Sequence, residues 1–291
     1  MDLNQAIAQS GLLEKAEAGL KQKLALNPYD VKMLETLGHT YRRKGDLSAA
    51  AEIFGQLCDR DPQHPTAAYL HAVLSGMPLP TRAPEVWPWP VPFVRLEHFL
   101  PQNQRDRLLD LACDNQNAFE PMKLYKPSKT GHIMTYQDRD VRHQVGLIGN
   151  PEVDAIVKPR VVDILPGLLP RLQAPPFPIG DTALQLVLSH DGHYAKAHAD
   201  DLDGRIKVTF VYYFHKQPKA FSGGELLFYD TDLANRTYNV ARYTQINHED
   251  NVLLIFPSPY VHAITPVRCN SEAFEDGRFA VSGFVGIAVQ P

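Results

Sequence analysis

The stretch TALQLVLSHDGHYAKAHADDLDGRIKVTFVYYF, residues 182–214, decides the fold. Its two ends, TALQLVLS and RIKVTFVYYF, are rich in β-branched and aromatic residues, while Gly192, Gly204 and several polar residues between them mark turns. Runs of the same texture follow at GELLFYD (224–230), NVLLIF (251–256) and RFAVSGFVGIAV (278–289). Many short strands separated by turns predict a barrel or sandwich, preceded here by helices that can brace one side. Those helices are read from apolar residues at helical spacing, at Leu108, Leu109 and Ala112 and again over 151–173, where Pro166 predicts a break. Phe93–Leu96 reads as a strand and 117–147 as loop, and the prolines 175, 176 and 178 precede the β-rich region.

The N-terminal quarter has a different period. Asn27-Pro28-Tyr29-Asp30 and Asp61-Pro62-Gln63-His64 place prolines 34 residues apart, the tetratricopeptide (TPR) period. Leu34, Leu37, Gly38, Tyr41, Gly45-Asp46, Ala50, Phe54 and Pro62 fit that pattern, with Gly38 and Ala50 where two helix axes must approach closely. Helical spacing through Ile7, Leu12, Leu13, Ala16 and Leu20, and a further helix over 65–75, flank this single full repeat. From Met77 the chain reads MPLPTRAPEVWPWPVP, and six prolines in that span exclude a helix or a central strand. The expected partition is a TPR-like helical domain over 1–76, a Pro-rich linker over 77–92, and a second domain over 93–291. Trp87 and Trp89 are expected to pin the linker to that second domain.

Composition narrows the function classes. The 291 residues are 44% hydrophobic and 21% charged, which excludes wholesale disorder. A net charge of −4 lacks the basic footprint of a nucleic-acid binder or a polybasic membrane anchor. The apolar stretches at 252–256 and 279–289 fall short of the ~18 residues of a membrane span. Cys58, Cys113 and Cys269 lie far apart with no CxxC spacing, and the opening MDLNQAIAQS has no signal-peptide pattern, so free thiols and a cytoplasmic location are expected.

The chemistry centres on His198-Ala199-Asp200. Alternate side chains of a strand share a face, so this imidazole and carboxylate can close on one metal ion, with His262, at the end of another strand, a third candidate. In a chain with 12 histidines, an HxD pair alone is equally compatible with solvated loop residues. Arg278 lies in an otherwise apolar run, where burial of its charge demands an anionic partner, either a ligand or a protein carboxylate.

The segments GHYAKAHAD, VTFVYYF, FSGGELLFYD, DNVLLIFPSPYVHAI and GRFAVSGF occur in this order between 192 and 284. In them the chain resembles the prolyl 4-hydroxylase-like branch of the Fe(II)/2-oxoglutarate-dependent dioxygenases, most closely over 182–288. The resemblance implies an α+β protein: TPR-like α-helical hairpins followed by a double-stranded β-helix (jelly-roll) core braced by helices. It implies His198, Asp200 and His262 as iron ligands, and Arg278 as partner of the far carboxylate of 2-oxoglutarate. Tyr213 would donate its hydroxyl to the same carboxylate, with Ser282 beside it. Fe(II), 2-oxoglutarate and O2 are the implied cofactor and co-substrates, with ascorbate a further candidate. The implied reaction hydroxylates an unactivated C–H bond while 2-oxoglutarate is decarboxylated to succinate and CO2. Related halogenases lack the carboxylate, so Asp200 points to hydroxylation, with desaturation or ring formation open to the same chemistry. A prolyl or other peptidyl substrate, a free amino acid or small metabolite, and a TPR-type interaction protein with an inactive β domain all remain open at this point. Among the neighbours, Tyr194 reads as pocket or packing, Gly223-Gly224 as a turn, Asp201 and Asp203 as solvated loop acids, and Arg139 and Arg142 as parts of the loop that covers substrate in relatives.

Overall fold

A computed structural model describes residues 11–80, 88–127, 133–201 and 204–287. The helices are α1 (Leu12–Leu26), α2 (Val31–Lys44), α3 (Leu47–Arg60), α4 (Ala67–Ser75), α5 (Gln102–Asp114) and α6 (Pro151–Leu168). The strands are β1 (Val94–Glu97), β2 (Glu120–Pro121), β3 (Leu124–Pro127), β4 (Ile133–Tyr136), β5 (Arg142–His143), β6 (Val145–Ile148), β7 (Ile179–Ser189) and β8 (Tyr194–His198). They continue as β9 (Ile206–Phe214), β10 (Phe221–Gly223), β11 (Leu226–Asp232), β12 (Thr237–Ile246), β13 (Val252–Pro257), β14 (His262–Ile264), β15 (Val267–Cys269) and β16 (Arg278–Ile287). No helix among the described residues is long and apolar enough to cross a membrane, and the three cysteines are free thiols.

The chain divides into two compact units, Met1–Pro92 with Leu227–Ile246, and Phe93–Leu226 with Asn247–Pro291. In the first, Asp30 and Asp46 cap α2 and α3 by accepting from the amides of Met33 (2.9 Å) and Ala49 (3.0 Å), satisfying donors that a helix start leaves bare. Gly45, at φ 74°, ends α2 in the left-handed conformation that favours glycine. Leu34, Phe54, Leu57 and Leu70 interlock between the helices. Gly38 lets them approach, since a Cβ there would stand 2.9 Å from the Phe54 ring.

The same unit contains a hairpin that the sequence pattern assigned to the β domain. β11 pairs with β12, a strand not anticipated because its exposed, mixed residues lack an apolar face. The hairpin is tied to α2 by a buried ion pair, Arg42 Nη2 to Asp230 Oδ1 at 2.6 Å, while Arg42 Nε donates to Thr244 Oγ1 at 2.9 Å. Trp89 pairs with Thr231 and packs on Tyr69 at 4.7 Å, both in this unit, so it pins the proline-rich segment here rather than to the second domain. Trp87 and Ile7 lie outside the described residues.

The second unit is built on a seven-stranded sheet of order β1-β13-β9-β16-β7-β6-β2, in which each neighbouring pair runs antiparallel. Period-two alternation gives it two unlike faces. Leu184, Leu186 and Leu188 of β7, Phe210, Tyr212 and Phe214 of β9, and Phe279 and Val281 of β16 form one buried core with α5 and α6. The helices contribute Leu108 and Leu111 of α5, and Val153, Val157, Val161 and Leu165 of α6. That last stripe, at every fourth residue, explains why α6 runs through Pro159 and Pro166 to Leu168 instead of breaking. Both prolines sit on the exposed side, and tertiary packing outweighs the lost backbone bonds. The alternate residues, among them Val187, Tyr213, Arg278 and Ala280, face the other way. A smaller antiparallel group of order β14-β8-β5 supplies the opposite wall of a cavity. This mixed helix and antiparallel-sheet architecture is consistent with a jelly roll. The loop expected over 117–147 is corrected, since it contains five short strands, β2 to β6, whose brevity hides any alternation.

Removing one partner of a buried ion pair strands the other charge, so Asp230→Ala is expected to cost about 3–5 kcal/mol, read by urea denaturation. An unchanged midpoint would contradict a structural role for the pair.

Candidate metal centre and adjoining pocket

β8 and β14 pair so that His198 and His262 are direct cross-strand partners, with ring centroids 4.4 Å apart. Asp200, just past β8, is fixed from behind: its amide donates to the Ser258 carbonyl (3.0 Å), and its Oδ2 accepts from Thr209 Oγ1 (2.9 Å), which is also paired with Ser258 Oγ. Asp200 Oδ1 lies 3.6 Å from His198 Nε2, and its Oδ2 lies 3.5 Å from His262 Nε2. The three donor atoms fall within 4.8 Å of one another, the one such group of three among the described residues.

The imidazoles are also held in the right tautomer. His198 Nδ1 lies 2.7 Å from the Lys196 carbonyl and His262 Nδ1 lies 3.2 Å from that of Tyr260, so each Nδ1 donates and each Nε2 keeps its lone pair. Burial, then the neighbouring His262 ring, lowers the pKa of His198 and keeps it neutral. Two imidazoles and a carboxylate on one side of an open cavity are the donor set of a 2-His-1-carboxylate facial triad.

The triad lines an open cavity of about 490 Å³, a volume that includes the space at its mouth. Arg278, at the start of β16, lines it too and is 1% exposed. Its Nε donates to the Gly224 carbonyl at 2.8 Å, and its Nη2 is buried without a hydrogen-bond partner among the described residues. Tyr213, opposite Ala280 in the β9–β16 register, shares this face. Its ring lies 4.8 Å from the Arg278 guanidinium carbon, and its hydroxyl is likewise buried and unpartnered among the described residues. Burial raises the Tyr213 pKa, so the hydroxyl keeps its proton and remains a donor. Ser282 lines the cavity two turns of the pleat beyond Arg278.

Other sequence candidates fall elsewhere. Tyr194 donates to the carbonyls of Arg139 and Asp140 (3.0 and 3.3 Å), which turns its hydroxyl to the loop and leaves it a packing residue. Asp201 accepts from the Gly204 amide at 2.7 Å as a turn acid, and Asp203 lies outside the described residues. Arg142 lines the cavity, its Nε bonded to Gln144 Oε1 at 2.9 Å, whereas Arg139 is exposed. The residues not singled out in the sequence are Thr209, Ser258 and Gln144. Thr209 had a visible signal, a small hydroxyl between Val208 and Phe210 in a β-rich run.

Gly224 is more than a turn residue. At φ 72°, its added Cβ would meet Arg278 Cδ at 2.5 Å and Nε at 2.8 Å. Gly224→Ala is therefore expected to destabilise the protein by about 1–3 kcal/mol in thermal denaturation, through strain and displacement of the guanidinium. Unchanged stability would contradict the tight cradle.

Comparison with known proteins agrees with this geometry. The 2OG-Fe(II) oxygenase superfamily matches residues 184–286. A relative from Synechocystis sp., named as an uncharacterized PKHD-type hydroxylase, is 30% identical over 200 residues, 67% of this chain and 63% of its own length. The chain thus spans less than two thirds of that relative. Among solved structures, a prolyl-4-hydroxylase of Pseudomonas putida aligns with a TM-score of 0.47 and 16% identity over 68% of this chain and 93% of the other. A Trichoplax adhaerens prolyl hydroxylase in complex with a hypoxia inducible factor peptide fragment aligns at 0.47 and 17%, over 67% and 83%. The epimerase SnoN from nogalamycin biosynthesis aligns at 0.45 and 11%, over 68% and 78%. Over residues 184–286, then, this chain carries a domain of the 2OG-Fe(II) oxygenase superfamily.

Proposed function

We propose that the protein is an Fe(II)- and 2-oxoglutarate-dependent hydroxylase, with His198, Asp200 and His262 as the metal ligands. One observation carries the reading. On the face of the large sheet across from the two histidines, two buried donors, Arg278 Nη2 and the Tyr213 hydroxyl, have no hydrogen-bond partner among the described residues. Leaving a cation and a hydroxyl unsatisfied costs several kcal/mol, and a carboxylate that accepts from both removes that cost. The two groups fit the far end of a dicarboxylate whose near end faces the metal.

Bound Fe(II), with 2-oxoglutarate and O2, supplies the oxidation of a C–H bond to C–OH, balanced by conversion of 2-oxoglutarate to succinate and CO2. The chain's residues do the positioning. His198 and His262 present their Nε2 atoms, Thr209 holds one carboxylate oxygen of Asp200, and the apolar Val187, Ala280 and Leu226 limit water around the bound co-substrate. Arg278 is always charged and selects a dianion over a monoanion.

A prolyl or other peptidyl residue is the leading substrate, in keeping with the PKHD-type designation of the Synechocystis relative and with the helical hairpins α1 to α4, which we read as TPR-like. Arg142 in the cavity wall favours a second reading, a free amino acid or other small carboxylate, because a guanidinium suits a substrate carboxylate. Succinate formation stimulated separately by peptide pools and by metabolite pools distinguishes the two. His198→Ala is expected to remove stimulated turnover by more than about 100-fold, beyond what loss of a residue merely supporting a ligand costs. Arg278→Ala is expected to weaken 2-oxoglutarate binding at least about 30-fold, the lower end of the cost of stripping one partner from a buried charge pair. Turnover that survives His198→Ala would overturn the triad assignment, and stimulation by metabolites alone would overturn the peptidyl preference.

A further inference from the structure

A buried histidine lies behind the two donors and is not accounted for by the metal site. His248 is 3% exposed, and its ring packs on that of Tyr213 with centroids 4.5 Å apart. Its Nε2 lies 3.1 Å from the carbonyl of Phe279, the residue next to Arg278, so Nε2 carries the proton and donates. Nδ1 is then an acceptor, buried and without a partner among the described residues. Phe221 and His215 close the other sides of the ring, edge-on at 5.1 Å and tilted at 5.3 Å.

These contacts bridge the two carboxylate-binding donors. Among the described residues no partner within hydrogen-bonding geometry holds the Tyr213 hydroxyl, so its place is set by what its ring leans on: the Arg278 guanidinium on one part and the His248 ring on another. His248 is in turn anchored to the strand that carries Arg278. We infer that His248 is a positioning residue for co-substrate binding, fixing the spacing between the Tyr213 hydroxyl and the Arg278 guanidinium by packing on the one and bonding to the backbone beside the other. Burial and the charge of Arg278, with smaller contributions from His215 and Lys219, hold His248 neutral well below the ordinary imidazole range. Neutrality matters because a second cation at this place would repel the guanidinium that the site needs.

The inference rests on the 2-oxoglutarate reading above, and the test separates the two. Calorimetric titration of 2-oxoglutarate into Mn(II)-loaded protein reads affinity without turnover. His248→Ala is expected to weaken 2-oxoglutarate roughly tenfold, on the scale seen when a residue supporting a ligand is removed, with Mn(II) affinity unchanged. In a Tyr213→Phe background the same substitution is expected to change 2-oxoglutarate affinity less than about twofold, because the hydroxyl it positions is gone. If the alanine variant fails to fold, His248→Gln, whose amide can still donate to the Phe279 carbonyl, is expected to show the same tenfold loss. An unchanged affinity in either variant, a parallel loss of Mn(II) binding, or a full tenfold loss in the Tyr213→Phe background would overturn the positioning role. Failure of the unaltered protein to bind 2-oxoglutarate would overturn the reading on which it rests.

Discussion

A guanidinium buried to 1% exposure, with one nitrogen bonded to a backbone carbonyl and another to nothing among the described residues, is the constraint around which the second unit is organised. Such a group is costly to bury, and replacing it by an apolar side chain would ordinarily stabilise a core. Its surroundings are built to keep it. Gly224 gives up its side chain to make room, β16 presents it on the face away from the helices, and Tyr213 supplies a π-face and a hydroxyl without a hydrogen-bond partner among the described residues. Glu225 acts on the guanidinium by charge, yet Arg278 Nη2 has no hydrogen-bond partner among the described residues, and the dicarboxylate proposed above would fill that place.

The sheet makes that arrangement possible by separating two environments at alternate residues. Tyr212 packs in the apolar layer against α5 and α6, and Tyr213, one residue on, faces the other way, opposite Ala280 and against the Arg278 guanidinium. The rigid layer holds the strands in register, and register places Arg278, Ser282 and Thr209 on one face. The metal candidates come from the opposite wall, where pairing of β8 with β14 sets the two histidines side by side. Their ring tautomers are fixed by carbonyls of their own chain segments, so each Nε2 keeps the lone pair that the proposed metal would use.

Much of this is legible in the sequence, for definite reasons. The long strands β7, β9, β13 and β16 announce themselves by β-branched and aromatic runs, and the HxD spacing with a distal histidine draws attention to the residues that the fold brings together. Elements whose pattern is weak are not legible: β2 to β6 are two to four residues long, and β12 is mostly exposed. Pro166 misleads because a local rule about backbone bonds is outweighed by a buried stripe four residues apart. The neighbour of Trp89 is misread because a hairpin from the middle of the β region belongs with the helices, a long-range pairing no local pattern encodes. Within the site, Thr209, Ser258 and His248 act through other side chains, and only their three-dimensional neighbours reveal them.

The central claim is that one cavity holds a metal on His198, Asp200 and His262 and a dicarboxylate on Arg278 and Tyr213 at the same time. Anaerobic addition of Fe(II) and then 2-oxoglutarate tests it directly. A weak visible charge-transfer band that requires both additions and is absent in Asp200→Ala is the predicted result. No band in the unaltered protein, or one that persists in Asp200→Ala, would contradict the account.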